Sequence, residues 1–128
     1  MRKEAINTTG APEAIGPYSQ AIKVGNLLFI SGQLGIDPST GKMAGRSVKK
    51  QVEQAFSNIA AILFEAGGSM DNVVKTTVYL TNMEKFAEMN EIYEKKFRMP
   101  FPARSSIAVR GLPKGGVVEI EVIAFIKE

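Results

Sequence analysis

The chain contains no cysteine and no histidine. The first absence excludes disulfides, thiolate nucleophiles and thiolate metal sites. The second removes the commonest general base and the commonest metal ligand, and with them any Ser-His-Asp arrangement. A metal would need carboxylates alone, and no acidic cluster has suitable spacing, so no metal site is expected; no cofactor is expected either. No apolar stretch approaches the length of a membrane span, and the opening MRKEAINTTG lacks the apolar run of a secretion signal. A cytoplasmic protein with no membrane partner is the expectation, and Asn7-Thr8-Thr9 is then a chance match to a glycosylation sequon. No run of five or more Lys or Arg exists, so the net charge of +3 permits nucleic-acid binding without indicating it.

What is present suits an ordinary globular chain. The 128 residues are 45% apolar and 23% charged, enough for one domain over 1–128 with its own core. Glu4 to Thr8 reads as a first strand, and residues 7–17, rich in Thr, Gly, Ala and Pro, as a loop. YSQAIKVGNLLFISGQL reads as a hairpin, with Gly25-Asn26 suited to a type II′ turn. GIDPSTGKMAG resembles a phosphate loop only superficially. Five residues separate Gly35 from Gly41, and Met43 follows Lys42 where Ser or Thr is required. A hairpin-like surface loop is the better reading.

Val48, Val52, Ala55, Phe56, Ile59, Ile62, Leu63 and Ala66 recur with a helical period, predicting a helix over 47–66. Ser47 caps its start and Gly67-Gly68 ends it. Val73 to Leu80, rich in β-branched residues, reads as a strand. Thr81 to Glu84 has the form of a capping box. It opens a second helix with Phe86, Met89, Tyr93 and Phe97 on one face. A last hairpin is expected from Arg104–Arg110 and Val117–Ile126, joined by LPKGG.

The order β-β-β-α-β-α-β-β is an α+β layout: a mixed sheet of about six strands with two helices on one face. The last strand carries large apolar residues on both faces, Val118, Ile120 and Val122 on one, Ile123 and Phe125 on the other. A second copy of the chain is the expected cover for the face that the helices leave open, with a loop folded over it as the alternative.

Three positions stand out as site candidates. Arg104 opens a strand beside apolar sheet and needs an anionic partner. That partner is either Glu119 or Glu121 on the adjacent strand, or a ligand carboxylate gripped bidentately. Asn90, next to the apolar stripe of the second helix, is either bonded to a neighbouring loop or part of a site. Tyr18 is either a packing residue at a strand entry or a site residue.

IGPYSQAI, LFISGQLGIDPSTG, VVKTTVYLTNMEKFAEMNEIYEKKF, FPARSSIAV and LPKGGVVEIEVIAF together resemble the RidA/YjgF family of enamine and imine deaminases, from about Glu4 to Phe125. The resemblance implies a chorismate-mutase-like α+β subunit. It also implies a homotrimer with ligand clefts between subunits, trimerising through the face opposite the helices. The implied reaction is hydrolysis of reactive 2-imino acids, such as 2-iminopropanoate from 2-aminoacrylate, to 2-keto acids and ammonia. By resemblance Arg104 binds the substrate carboxylate, helped by backbone N–H groups near Gly32 and Ser106. Glu119 orients the attacking water, Tyr18 closes the cleft across the interface, and Asn90 and Ser31 line it. Glu121 is read as structural, paired with Arg110 or a lysine. Many relatives have cysteine where this chain has Ser106. Two other classes remain: a non-catalytic sensor of small carboxylates, and the ribonuclease or translation-inhibitor activity also described for the family. The latter finds no histidine here and no basic run.

Overall fold

The computed structural model describes residues 2–127. The strands are β1 (Lys3–Ile6), β2 (Ala21–Val24), β3 (Leu27–Leu34), β4 (Ile36–Asp37), β5 (Lys42–Met43), β6 (Val73–Leu80), β7 (Ala103–Ala108) and β8 (Val118–Phe125). The helices are α1 (Val48–Glu65) and α2 (Phe86–Lys96). Six strands form one mixed sheet in the order β1-β2-β3-β8-β6-β7, and β4 and β5 form a separate small hairpin. The α+β layout expected from the sequence is the one observed. Within the segment 35–45, β4 and β5 pair as the expected hairpin.

Local chemistry explains most boundaries. At the β2–β3 turn Gly25 has φ 59° and Asn26 does not enter the left-handed region, the pattern a type II′ turn requires. The Ser47 side chain accepts from the Lys50 N–H and starts α1, and Gly67 at φ 88° follows its end. The expected capping box at Thr81 does not form. Asn82 caps a short 3-10 turn before α2 by accepting from the Glu84 N–H, while the Thr81 backbone N–H donates to Val117. Asn competes well for that role, and Thr81 is held by the neighbouring strand end.

The last hairpin is also absent. β7 pairs in parallel with β6, and β8 lies antiparallel between β3 and β6. The crossover through α2 delivers β7 to the outer side of β6. The crossover through α1 leaves a slot between the parallel strands β3 and β6. The segment 109–117 spans from the sheet edge back to that slot, and β8 fills it.

α1 and α2 cover one face of the sheet. Val52, Phe56, Ile59 and Leu63 of α1 and Met89 and Tyr93 of α2 pack on Leu28, Val78, Leu80, Ile120 and Val122. The opposite face is apolar but open, with Leu27, Phe29, Ile107 and Phe125 all exposed. Among the described residues no helix is long and apolar enough to cross a membrane.

Candidate active site

Strand alternation decides where each candidate residue points. Arg104 is in register with Thr76, and Ser106 with Val78. Thr76 and Val78 belong to the helix-covered face, so Arg104 and Ser106 lie there too, on the edge strand beneath α2. Glu119 is in register with Tyr79 and Glu121 with Thr77, on the open face. β6 stands between β7 and β8, so neither glutamate is on a strand adjacent to Arg104. The internal salt bridge considered for Arg104 is excluded by this topology. Within one chain the candidates form two separate groups.

The first group is built on Arg104. Its Nη1 donates to Asn90 Oδ1 at 2.7 Å. Its Cζ lies 4.6 Å from the ring centre of Tyr93 and 5.2 Å from that of Phe86, both within cation–π range. No ion pair joins it among the described residues. Asn90 is thus partnered by the arginine and not by a loop. Val109 N–H donates to Leu80 O at 2.8 Å. By alternation along β7, the N–H of Ser106 then points away from β6, toward the unpaired edge of the sheet. The Ser106 hydroxyl oxygen is buried without a hydrogen-bond partner.

The second group is built on Glu119. The β3–β8 register shifts between Ile30 and Gln33, leaving Ser31 and Gly32 without register partners on β8. A Cβ at Gly32 would lie 2.8 Å from Glu119 Cδ, so the carboxyl group packs directly over the glycine backbone. Burial, and secondarily the charge of Glu121, raise the Glu119 pKa above its ordinary value. Glu121 accepts a hydrogen bond from the Tyr79 hydroxyl at 2.8 Å, a tyrosine where Arg110 or a lysine was expected. Ser31 donates its hydroxyl to Ser19 O at 2.6 Å and its N–H to Gln20 O, tethering the loop that presents Tyr18. Tyr18 itself is exposed, against the packing role.

Two residues beside Arg104 were not legible as site residues. Phe86 and Tyr93 were assigned only to the core stripe of α2. The usable signal was spacing: 86, 90 and 93 share one helix side, which places two aromatics around Asn90.

The chain has relatives among known proteins. The family model described as Endoribonuclease L-PSP matches residues 8–126. The chain belongs to this family, the RidA/YjgF proteins. Among its RidA/YjgF relatives is a 2-iminobutanoate/2-iminopropanoate deaminase of Mus musculus, 48% identical over 95% of this chain and 90% of the mouse protein. A RutC family protein of Pyrococcus abyssi is 50% identical, covering 98% of both chains. The crystal structure of E. coli TdcF with bound serine superposes with a TM-score of 0.91 at 38% identity, covering 95% of this chain and 98% of TdcF.

Proposed function

We propose that the protein hydrolyses reactive 2-imino acids to 2-keto acids and ammonia, at a site completed by a second copy of the chain in a homotrimer. The observation that carries this reading is the pair of half-sites. Among the described residues Arg104 is a positioned cation with no ion-pair partner, and Glu119 is a half-buried carboxylate with no hydrogen-bond partner. They face opposite sides of one sheet, while the open apolar face invites a neighbour. Placing the Arg104 edge of one subunit against the Glu119 region of the next joins them. The deaminase name of the mouse relative and the serine bound to TdcF support a small amino-acid-like substrate.

In this reading Arg104 and the outward Ser106 N–H hold the substrate carboxylate, with Gly32 allowing close backbone approach. Tyr18 closes the cleft across the interface, and Asn90 and Ser31 line it. The imine carbon is already electrophilic when its nitrogen is protonated. Glu119 orients a water and takes its proton as the C–O bond forms. Glu119 then returns that proton to the amine of the resulting carbinolamine, and ammonia leaves as the carbonyl forms, the hydroxyl proton departing with it as ammonium. Catalysis is by positioning and local electrostatics, and neither metal nor histidine is called on.

The test is competition. 2-Iminopropanoate is generated in place by a pyridoxal-phosphate-dependent serine dehydratase in the presence of semicarbazide. The protein should divert the flux from semicarbazone to pyruvate; no diversion overturns the deaminase reading. Pyruvate binding without diversion identifies a sensor instead.

Gly32→Ala probes the Glu119 group. The clashing atoms are the flexible end of Glu119, so the fold should lose no more than about 1 kcal/mol. The displaced carboxylate should cost turnover up to about 100-fold. Denaturant melts beside steady-state rates check both halves of this expectation.

A further inference from the structure

Arg104 is a long side chain with several rotatable bonds, and a flexible cation makes a poor anion clamp. Its hydrogen bond to Asn90 fixes one nitrogen. The rest of its placement comes from aromatic rings. Tyr93 lies nearest, at 4.6 Å. It is 4% exposed and packs edge-on against Phe56 and at a tilt against Phe97.

A ring in such a core has no need of a hydroxyl. Yet the Tyr93 hydroxyl meets the Thr76 hydroxyl at 2.8 Å, and Thr76 is fully buried. Thr76 is also the register partner of Arg104 across β6 and β7. Phe and Val would fill the same space without burying two polar groups. The hydroxyl pair does what packing alone does not: it pins the far end of the ring, and so the position of the face that carries the guanidinium. The strand that aligns Arg104 thus also aligns the ring that supports it.

We propose that Tyr93, pinned by Thr76, is a positioning residue that sets the Arg104 guanidinium for carboxylate binding. The inference rests on the anion-clamp role assigned to Arg104 above. Tyr93 touches no substrate in this account; it acts through Arg104.

The experiment compares Tyr93→Leu, Tyr93→Phe and Phe97→Leu in the intact assembled protein. Phe97 belongs to the same aromatic cluster, at 4.9 Å from Tyr93 and 5.6 Å from Phe56, but the two rings within range of Arg104 are those of Tyr93 and Phe86. Three quantities are read: the Arg104 Nε–H resonance by NMR, pyruvate affinity by calorimetry, and the division between KM and kcat on the imine. Wild type should show an upfield, ring-shifted Arg104 resonance. Tyr93→Leu should lose most of that shift, leaving the part due to Phe86, and weaken pyruvate binding and KM about five- to thirty-fold, with kcat within about two-fold. Tyr93→Phe should recover most of the affinity, with a residual change in the resonance from the freed ring. Phe97→Leu should lose stability and leave resonance and affinity unchanged.

An Arg104 resonance and pyruvate affinity indifferent to Tyr93→Leu overturn the proposal, as does an equal loss of affinity in Phe97→Leu. If the Leu variant does not fold, Tyr93→Phe decides: an unchanged resonance overturns the role of the Thr76 bond. A wild type that turns over no imine, but whose Arg104 resonance depends on Tyr93, overturns the deaminase reading and leaves the positioning role standing.

Discussion

Arg104→Ala should lower kcat/KM for a 2-imino acid by about 10²- to 10⁴-fold, while the chain stays folded. The loss follows from two charge-assisted hydrogen bonds to the substrate carboxylate, each contributing about 1.5–3 kcal/mol. Arg104→Lys keeps the charge and loses the planar fork, so about ten- to a hundred-fold should be lost. Folding should survive because no ion pair depends on this side chain among the described residues. Its hydrogen-bond partner Asn90 also lies in a part-buried setting where water can replace the guanidinium. Single-turnover rates and thermal melts on the same samples check the two claims together. Unchanged turnover in a folded Arg104→Ala variant removes Arg104 from the mechanism.

Glu119→Gln separates water activation from charge balance. If Glu119 takes the proton of the attacking water, kcat should fall about 10²- to 10⁴-fold, with pyruvate affinity little changed. A counterion of Arg104 would behave otherwise. Removing its charge would leave turnover intact and pyruvate binding equal or tighter. The topology already argues against pairing within one chain, since the two residues occupy opposite sheet faces.

The same substitution carries a stability signature. Burial first, then Glu121, raise the Glu119 pKa above 4.5. The native state therefore holds this proton to higher pH than the unfolded chain does. The contribution is fully present below the unfolded value and is lost as pH rises through the folded one. Above that window the ionised, desolvated carboxylate weakens the fold. In the unassembled chain, with no neighbouring Arg104 to offset the charge, Glu119→Gln should thus melt higher than wild type at pH 7, and the gap should close as pH falls through the raised pKa toward about 4.3. In the wild type, turnover should decline with acidification through the raised pKa, because the protonated carboxyl cannot accept a proton.

The fold was largely legible because its signals are local. The helical period from Val48 to Ala66, the Ser47 cap and the Gly25-Asn26 turn all act within a few residues, and each appears as read. The second apolar face was visible in β8 itself, where Ile123 and Phe125 alternate with Val122 and Ala124. What failed was pairing. Arg104–Arg110 and Val117–Ile126 are neighbours in sequence, but partner choice depends on where the α1 and α2 crossovers leave open strand edges. No local pattern encodes that slot. Thr81 misled for a similar reason: Asn82 stands one residue later with an equally good capping group.

The site was legible in part. Arg104, Glu119 and Gly32 were singled out, but nothing in the sequence showed that the two charged residues lie on opposite faces of the sheet. Glu119 sits on the interior strand β8, and only Arg104 is at the edge. Tyr93 escaped because a tyrosine on a helix stripe has the same sequence signature whether it fills a core or carries a cation. Its partner Thr76 lies on a different element, and only the folded chain brings the two hydroxyls together.

The central claim is that two chains share each reaction centre, one supplying Arg104 and the other Glu119. It is tested most directly by mixing. Arg104→Ala and Glu119→Gln proteins, each inactive alone, are unfolded together at equal amounts and refolded into mixed assemblies. In a ring of three with head-to-tail interfaces, random mixing restores about a quarter of the sites, because each site draws one residue from each neighbour. Recovery of about a quarter of wild-type turnover is the predicted result. Mixed trimers, verified by mass, that remain as inactive as either parent would contradict the shared site.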